Sequence, residues 1–173
     1  MPEAPRIAEL LSTMQRLSLT VGVAESLTGG LVLAALTDIP GASASVRGGF
    51  VVYATDLKAT LAGVEPELLA ARGAVDPDVA IALARGAHGR LGASIGVGVT
   101  GVAGPDPQDG KPVGTVFVAV SCPWLEHVER YQLDGTRQEI RQAAVNASID
   151  ALEATVAAYG PGAARESERR ASR

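Results

Sequence analysis

Leu19-Thr20-Val21-Gly22-Val23-Ala24-Glu25-Ser26-Leu27-Thr28-Gly29-Gly30-Leu31-Val32-Leu33-Ala34-Ala35-Leu36 decides how this chain folds. Leu19 to Val23 is a β-branched and apolar run, the composition of a buried strand, predicted over 18–24. Residues from about 28 to 37 carry helical apolar spacing. A strand that breaks into a helix through a Ser/Thr/Gly turn leaves backbone N–H groups unpaired at the helix start. Those groups and the helix dipole favour negative charge. A hydroxyl at that point can serve as a nucleophile whose oxyanion is already provided for. The structural alternative makes Ser26 or Thr28 an N-cap and leaves Gly29 and Gly30 to shape the turn. Capping serines and threonines are common, so these residues alone favour the cap.

Outward from this unit, strands and helices alternate. An amphipathic helix is predicted over 6–17, with Ile7, Leu10, Leu11, Met14 and Leu17 on one face. After Pro40-Gly41, a strand is predicted from Gly48 to Ala54. A short helix capped by Thr55 or Asp56 follows, carrying Leu57, Lys58 and Leu61 and stopped by Gly63. Glu65-Pro66 opens a helix ending at Gly73, and Asp76-Pro77 opens one reaching His88 or Leu91. Ala93 to Val99 reads as a glycine-rich strand, 100–113 as a loop, and 114–121 and 126–133 as strands joined through Pro123. A long helix from Thr136 to Tyr159 ends at Gly160-Pro161-Gly162. The pattern predicts a three-layer α/β/α sandwich with a mixed sheet, with ligands at the polar strand ends. Residues 1–160 are expected to form one domain and 161–173 a disordered charged tail.

Composition excludes several classes of function. Hydrophobic residues make up 47% of the chain but aromatics only 3%, so the core must be built from Ala, Val, Leu and Ile in close backbone approach. The net charge of −4 argues against a nucleic-acid or anionic-membrane partner. Cys122 stands alone, which suits a reducing compartment. No stretch approaches the roughly 20 apolar residues that span a bilayer, and the first residues lack the pattern of a signal peptide. A soluble cytoplasmic protein is the expectation. The Ala- and Gly-rich faces predict self-association, as a homodimer or higher homo-oligomer.

Few constellations survive inspection. Residues 96–101, Gly-Val-Gly-Val-Thr-Gly, match G-x-G-x-x-G, but the glycines lie within the predicted strand and Pro105 and Pro107 follow where a helix should run. Close backbone packing explains these glycines better. His88 and His127 are the only histidines and carry neither a zinc spacing nor a triad pattern. Asp106 and Asp109 could bind a hard cation, but aspartates beside Pro and Gly are ordinary turn residues. Ser26 lies in neither G-x-S-x-G nor S-x-x-K, since Gly29 occupies the lysine position.

A Ser/Lys pair remains. Lys58 and Lys111 are the only lysines among many arginines, and arginine cannot deprotonate to act as a base. If the strand bearing Tyr53 neighbours the Ser26 strand, Tyr53, Lys58 and Ser26 converge. A buried lysine of depressed pKa then takes the serine proton, with Tyr53 relaying or orienting it. The alternative is a solvated helix lysine. Thr100-Gly101-Val102-Ala103-Gly104-Pro105 offers a hydroxyl and backbone N–H groups at a strand end. Arg137 and Arg141 at the start of the last helix oppose its dipole unless an anion, Glu139 or solvent compensates.

Ala24-Glu25-Ser26-Leu27-Thr28-Gly29-Gly30, Gly49-Phe50-Val51-Val52-Tyr53 with Lys58, Gly73-Ala74-Val75, Thr100-Gly101-Val102-Ala103-Gly104-Pro105 and Pro112-Val113-Gly114-Thr115-Val116 occur in that order. This set closely resembles the CinA C-terminal domain family, the nicotinamide mononucleotide (NMN) deamidases, over roughly residues 6–158. The resemblance implies hydrolysis of the NMN carboxamide to nicotinate mononucleotide and ammonia, in pyridine nucleotide recycling, without metal or cofactor. It implies Ser26 as nucleophile with Tyr53 and Lys58 in support, and backbone N–H groups of the turn through Thr28, Gly29 and Gly30 at the oxyanion. It further implies that Thr100, Gly101 and Gly104 hold the nicotinamide or ribose, with Arg137 and Arg141 at the phosphate. The chain departs from the family's usual pattern at Leu27 and at Asp56, where relatives often carry Asn. A carboxylate two residues before Lys58 is expected to raise the lysine pKa. Many relatives carry a large N-terminal domain resembling molybdopterin-binding proteins, expected to be absent here. The competing expectation is a non-catalytic nucleotide- or protein-binding module linked to competence or the DNA-damage response.

Overall fold

Alternation along the central strands sorts their side chains between two layers of helices. In β1 (Val21–Glu25), Val21 and Val23 face one layer, and Gly22 and Ala24 face the other. Ile95, Val97 and Val99 of β3 (Ile95–Gly101) and Val116, Val118 and Val120 of β4 (Thr115–Cys122) join the first face. It is covered by α1 (Ala4–Arg16), α2 (Leu31–Thr37) and α6 (Arg137–Ala157). The other face carries Gly96, Gly98, Phe117 and Ala119 and is covered chiefly by α5 (Pro77–Leu91). The structure, a computed structural model, describes residues 4–160; the expected tail at 161–173 lies outside the described residues.

The G-x-G-x-x-G match is settled by this packing. A Cβ at Gly96 would lie 1.9 Å from the Ala84 carbonyl oxygen, and one at Gly98 2.3 Å from that of Ala80. The glycines admit the α5 backbone against the sheet, as a core poor in aromatic side chains requires. At these positions the close approach offered by small residues is made within the chain.

The remaining elements are a 3-10 turn (Ala42–Ala44), β2 (Val46–Val51), α3 (Thr55–Thr60), α4 (Pro66–Arg72) and β5 (Leu125–Gln132). The five-stranded sheet has the order β2-β1-β3-β4-β5. β1 pairs parallel with β2 and with β3, and the pairs β3/β4 and β4/β5 are antiparallel. This is the mixed sheet between helices that the sequence predicts.

Several boundaries differ from expectation, four of them around the site. β3 runs on to Gly101, because Thr100 and Gly101 pair with Phe117 and Val116 of β4 rather than entering the loop. β2 starts at Val46 and ends at Val51, so Tyr53 and Ala54 have left the sheet. α2 begins only at Leu31, since Gly29 and Gly30 take left-handed φ of 62° and 98°. Neither Thr55 nor Asp56 caps α3; its N-cap position is Ala54, without a side-chain bond. Asp76 does cap α5, accepting from the Asp78 N–H at 2.9 Å. Thr136 and Glu139 form a capping box on α6. Among the described residues, no helix is long and apolar enough to cross a membrane.

Candidate active site

Parallel pairing ends β1, β2 and β3 at one edge of the sheet. Glu25 lies opposite Val51 on one side and Val99 on the other. Ser26 therefore leaves the sheet between the segments that follow β2 and end β3. The Ser26 N–H donates to the Val99 carbonyl at 3.0 Å, and the Val52 N–H to the Glu25 carbonyl at 2.8 Å. From β1 the chain turns towards the α2 face, and from β2 towards the α5 face. The divergence opens a crevice between them, where α/β sheets bind ligands.

The chain after β2 turns through Tyr53 and Ala54 into α3, which returns Lys58 to the crevice. Lys58 Nζ donates to Ser26 Oγ at 3.1 Å and to the Val52 carbonyl at 2.8 Å, and lies 3.4 Å from the Tyr53 carbonyl oxygen. The lysine is 1% exposed and the serine 8%. Burial pushes the ammonium down to about 8, while the charge of Asp109 acts in the opposite direction. The expectation that Asp56 raises this pKa is corrected: the carboxylate whose charge opposes burial is Asp109, from the loop after β3.

Tyr53 does not stand between Lys58 and Ser26. Its side chain is 59% exposed, and its hydroxyl accepts from Arg137 Nη2 at 2.9 Å. Arg137 Nη1 also donates to the Gly104 carbonyl at 2.6 Å. The guanidinium thus bridges two segments of the pocket wall. Arg141 is turned elsewhere. Its Nε and Nη2 donate to the carbonyls of Leu27 and Thr28, each at 2.9 Å, and pin the turn that follows Ser26. It lines a neighbouring cleft of about 500 Å³ with Leu31, Gln138, Gln142 and Arg137. Arg137 alone of the two also lines the Ser26 pocket.

The start of α2 is not an open anion site. Glu25, 1% exposed, turns its carboxylate onto it. Oε2 accepts from the N–H groups of Gly30 and Val32 at 3.0 and 3.1 Å, and Oε1 from that of Leu33 at 2.9 Å. Glu25 therefore takes the capping role expected of Ser26 or Thr28. Gly30 is also removed from the expected oxyanion donors, and the Gly29 N–H is bonded to the Ser26 carbonyl. The N–H groups of Leu27 and Thr28 have no acceptor among the described residues. Thr28 itself is fully buried, with its hydroxyl unpaired among those residues.

Ser26 opens into a pocket of about 310 Å³ whose walls include Tyr53, Val75, Thr100, Gly101, Gly104 and Arg137. Thr100 is buried and gives its hydroxyl proton to the Ala74 carbonyl at 2.6 Å, so it braces the wall. Sequence reasoning missed Glu25 and Asp109 as parts of this site. Glu25 had one signal, an acidic side chain in an apolar strand directly before a helix turn. Asp109 reads only as a turn residue.

Fold and site together define an α/β protein with a buried serine–lysine pair at the carboxyl ends of parallel strands. The chain belongs to the CinA C-terminal domain family, which it matches over residues 4–156. It is 47% identical over 148 residues to a CinA-like protein of Frankia casuarinae, covering 86% of this chain and 34% of the relative. A CinA-like protein of Gemmatimonas aurantiaca is 46% identical over 148 residues, covering 84% and 34%. The chain thus spans about a third of the length of these curated relatives. Among solved structures it is similar to the competence/damage inducible protein CihA from Agrobacterium tumefaciens. That match has 40% identity and a TM-score of 0.81, covering 86% of this chain and 94% of the other. A CinA superfamily protein from Klebsiella pneumoniae superposes with a TM-score of 0.86 at 26% identity, covering 90% and 98%.

Proposed function

We propose that the chain is an amidohydrolase acting on the carboxamide of NMN, with Ser26 as nucleophile and Lys58 as its base. The observation that carries this reading is the 3.1 Å contact between Lys58 Nζ and Ser26 Oγ, made by a lysine that burial brings near neutrality. In the reacting form the neutral amine accepts the Ser26 hydroxyl proton directly. Ser26 Oγ bonds to the carboxamide carbon. The N–H groups of Leu27 and Thr28 are the donors available to the oxyanion. Collapse of the tetrahedral intermediate breaks the C–N bond, and the proton held by Lys58 leaves with the nitrogen as ammonia. Water then attacks the acyl ester, Lys58 accepts its proton, and nicotinate mononucleotide departs as Ser26 recovers its hydrogen. Tyr53 and Arg137 serve as pocket wall rather than proton relay. Arg137, the arginine shared by the pocket and the neighbouring cleft, is the better placed to meet the phosphate. No step calls for a metal.

The test is ammonia release from NMN by the purified protein beside Ser26→Ala and Lys58→Met, with folding checked by circular dichroism. The expected result is turnover in the wild type and a loss of about 10³-fold or more in both variants. NMN binding without turnover, unchanged in Ser26→Ala, would make the chain a binding module instead.

A further inference from the structure

Between β3 and β4, Gln108 and Lys111 form an isolated antiparallel bridge, with N–H to carbonyl distances of 3.1 and 2.8 Å. Asp109-Gly110 is its two-residue turn, and both residues take positive φ, 51° and 70°. Such a turn suits Asp-Gly. The exposed hairpin tip is tied back to the body of the domain. Asp109 Oδ2 accepts from the Ala74 N–H at 2.7 Å and lies 3.3 Å from the Val75 nitrogen. The next peptide group is held from the other side, where Thr100 Oγ1 donates to the Ala74 carbonyl. Gly73 is shaped to this contact: its φ is +76°, and a Cβ there would lie 2.7 Å from Asp109 Cγ. Ala74, Val75, Asp106 and Gln108 all line the Ser26 pocket.

We propose that Asp109 is a positioning residue of this site, latching the 108–111 hairpin onto the Ala74–Val75 backbone and so building one wall of the substrate pocket. The proposal rests on the amidohydrolase reading for its effect on turnover, but the latch itself does not. Its charge distinguishes it from a plain turn residue. Among the ionisable groups of the neighbouring elements, Glu25 is turned onto the α2 amides and Asp76 caps α5, while Asp56, Glu65, Glu67 and Arg72, like Asp109 itself, are exposed. Asp106 and Arg137 line the pocket, with Arg137 bonded to Tyr53 and Gly104. Asp109 is the one whose charge acts on the lysine, holding its proton more firmly.

The experiment compares wild type, Asp109→Ala, Asp109→Asn and Gly73→Ala by NMN kinetics across pH, by amide hydrogen exchange and by NMR titration of the Lys58 Nζ. Asp109→Ala and Gly73→Ala are expected to raise KM about tenfold with kcat within about threefold, and to speed exchange at Ala74 and Val75. Asp109→Asn keeps an acceptor for Ala74 but loses the charge. It is expected to hold KM near wild type while moving both the kinetic midpoint and the Lys58 titration to lower pH, a shift that a purely structural role would not produce. An unchanged KM together with unchanged exchange at Ala74 and Val75 in Asp109→Ala overturns the proposal. If the wild type has no NMN turnover, the amidohydrolase reading falls. The latch is then decided by exchange and by the lysine titration, and it is overturned if Asp109→Ala alters neither.

Discussion

Lys58 Nζ, 32 residues beyond Ser26 in the chain, donates to the serine Oγ at 3.1 Å while the Val52 carbonyl holds the same nitrogen at 2.8 Å. The second contact holds the amine against the serine. Lys58→Arg keeps a cation but has no accessible neutral form. Steady-state assays on NMN are expected to show a loss of about 10³-fold or more. Activity near wild type in that variant would remove lysine as the base.

The lysine pKa of about 8 sets two pH dependences. kcat/KM is expected to rise about tenfold per unit below pH 8 and to level off above it, because only the neutral amine accepts the serine proton. The stability sign follows from linkage. Between about 8 and the ordinary 10.5, the unfolded chain binds a proton that the folded chain does not, so stability rises with pH across that window. The gain is about 3 kcal/mol at most. Urea denaturation of wild type and Lys58→Met at several pH values should show this rise only in the wild type.

Glu25 answers three amides at the start of α2 from a fully buried position. In Glu25→Gln, one carboxylate oxygen is replaced by an NH2 group facing an N–H donor. A loss of about 2–3 kcal/mol is expected, seen as a fall in Tm of roughly 5–10 °C. Because Ser26 follows directly, kcat should fall as well. An unchanged Tm would mean that the cap contributes nothing.

Two glycines on the sheet-to-α5 interface and in α5 itself separate packing from propensity. Gly96→Ala would drive a Cβ into the Ala84 carbonyl and is expected to cost about 3 kcal/mol or more. Gly89→Ala meets nothing within 4 Å and is expected to stabilise by about 0.5–1 kcal/mol. Chemical denaturation of the two variants checks both signs.

Arg137 and Arg141, one helical turn apart, should fail differently. Arg141→Ala frees the carbonyls of Leu27 and Thr28 and is expected to lower kcat through the Ser26 turn. Arg137→Ala frees Tyr53 and Gly104 and is expected to raise KM about tenfold with a smaller change in kcat. Matching effects on both constants would mean that the two residues act as one unit.

Local pattern carried much of this protein. β-Branched and apolar runs, helical spacing and turn residues placed the five strands and six α-helices, and Asp76-Pro77 marked the start of α5 because caps and proline act within a single turn. Gly96 and Gly98 could be assigned to backbone packing because they lie inside a strand. The motif order was enough to name Ser26 and Lys58. Tertiary structure decided what each polar group meets. Parallel pairing of β1 with β2 turned a Ser/Lys pair into a 3.1 Å contact, and burial lowered the lysine pKa. Tyr53 went to Arg137, Arg141 to the Ser26 turn, Glu25 to the helix start and Asp109 to the Ala74 amide. Apart from Glu25, whose amides lie within the next turn of chain, these partners are tens of residues apart in the sequence. Only the register of the sheet and the path of its loops bring those groups within reach.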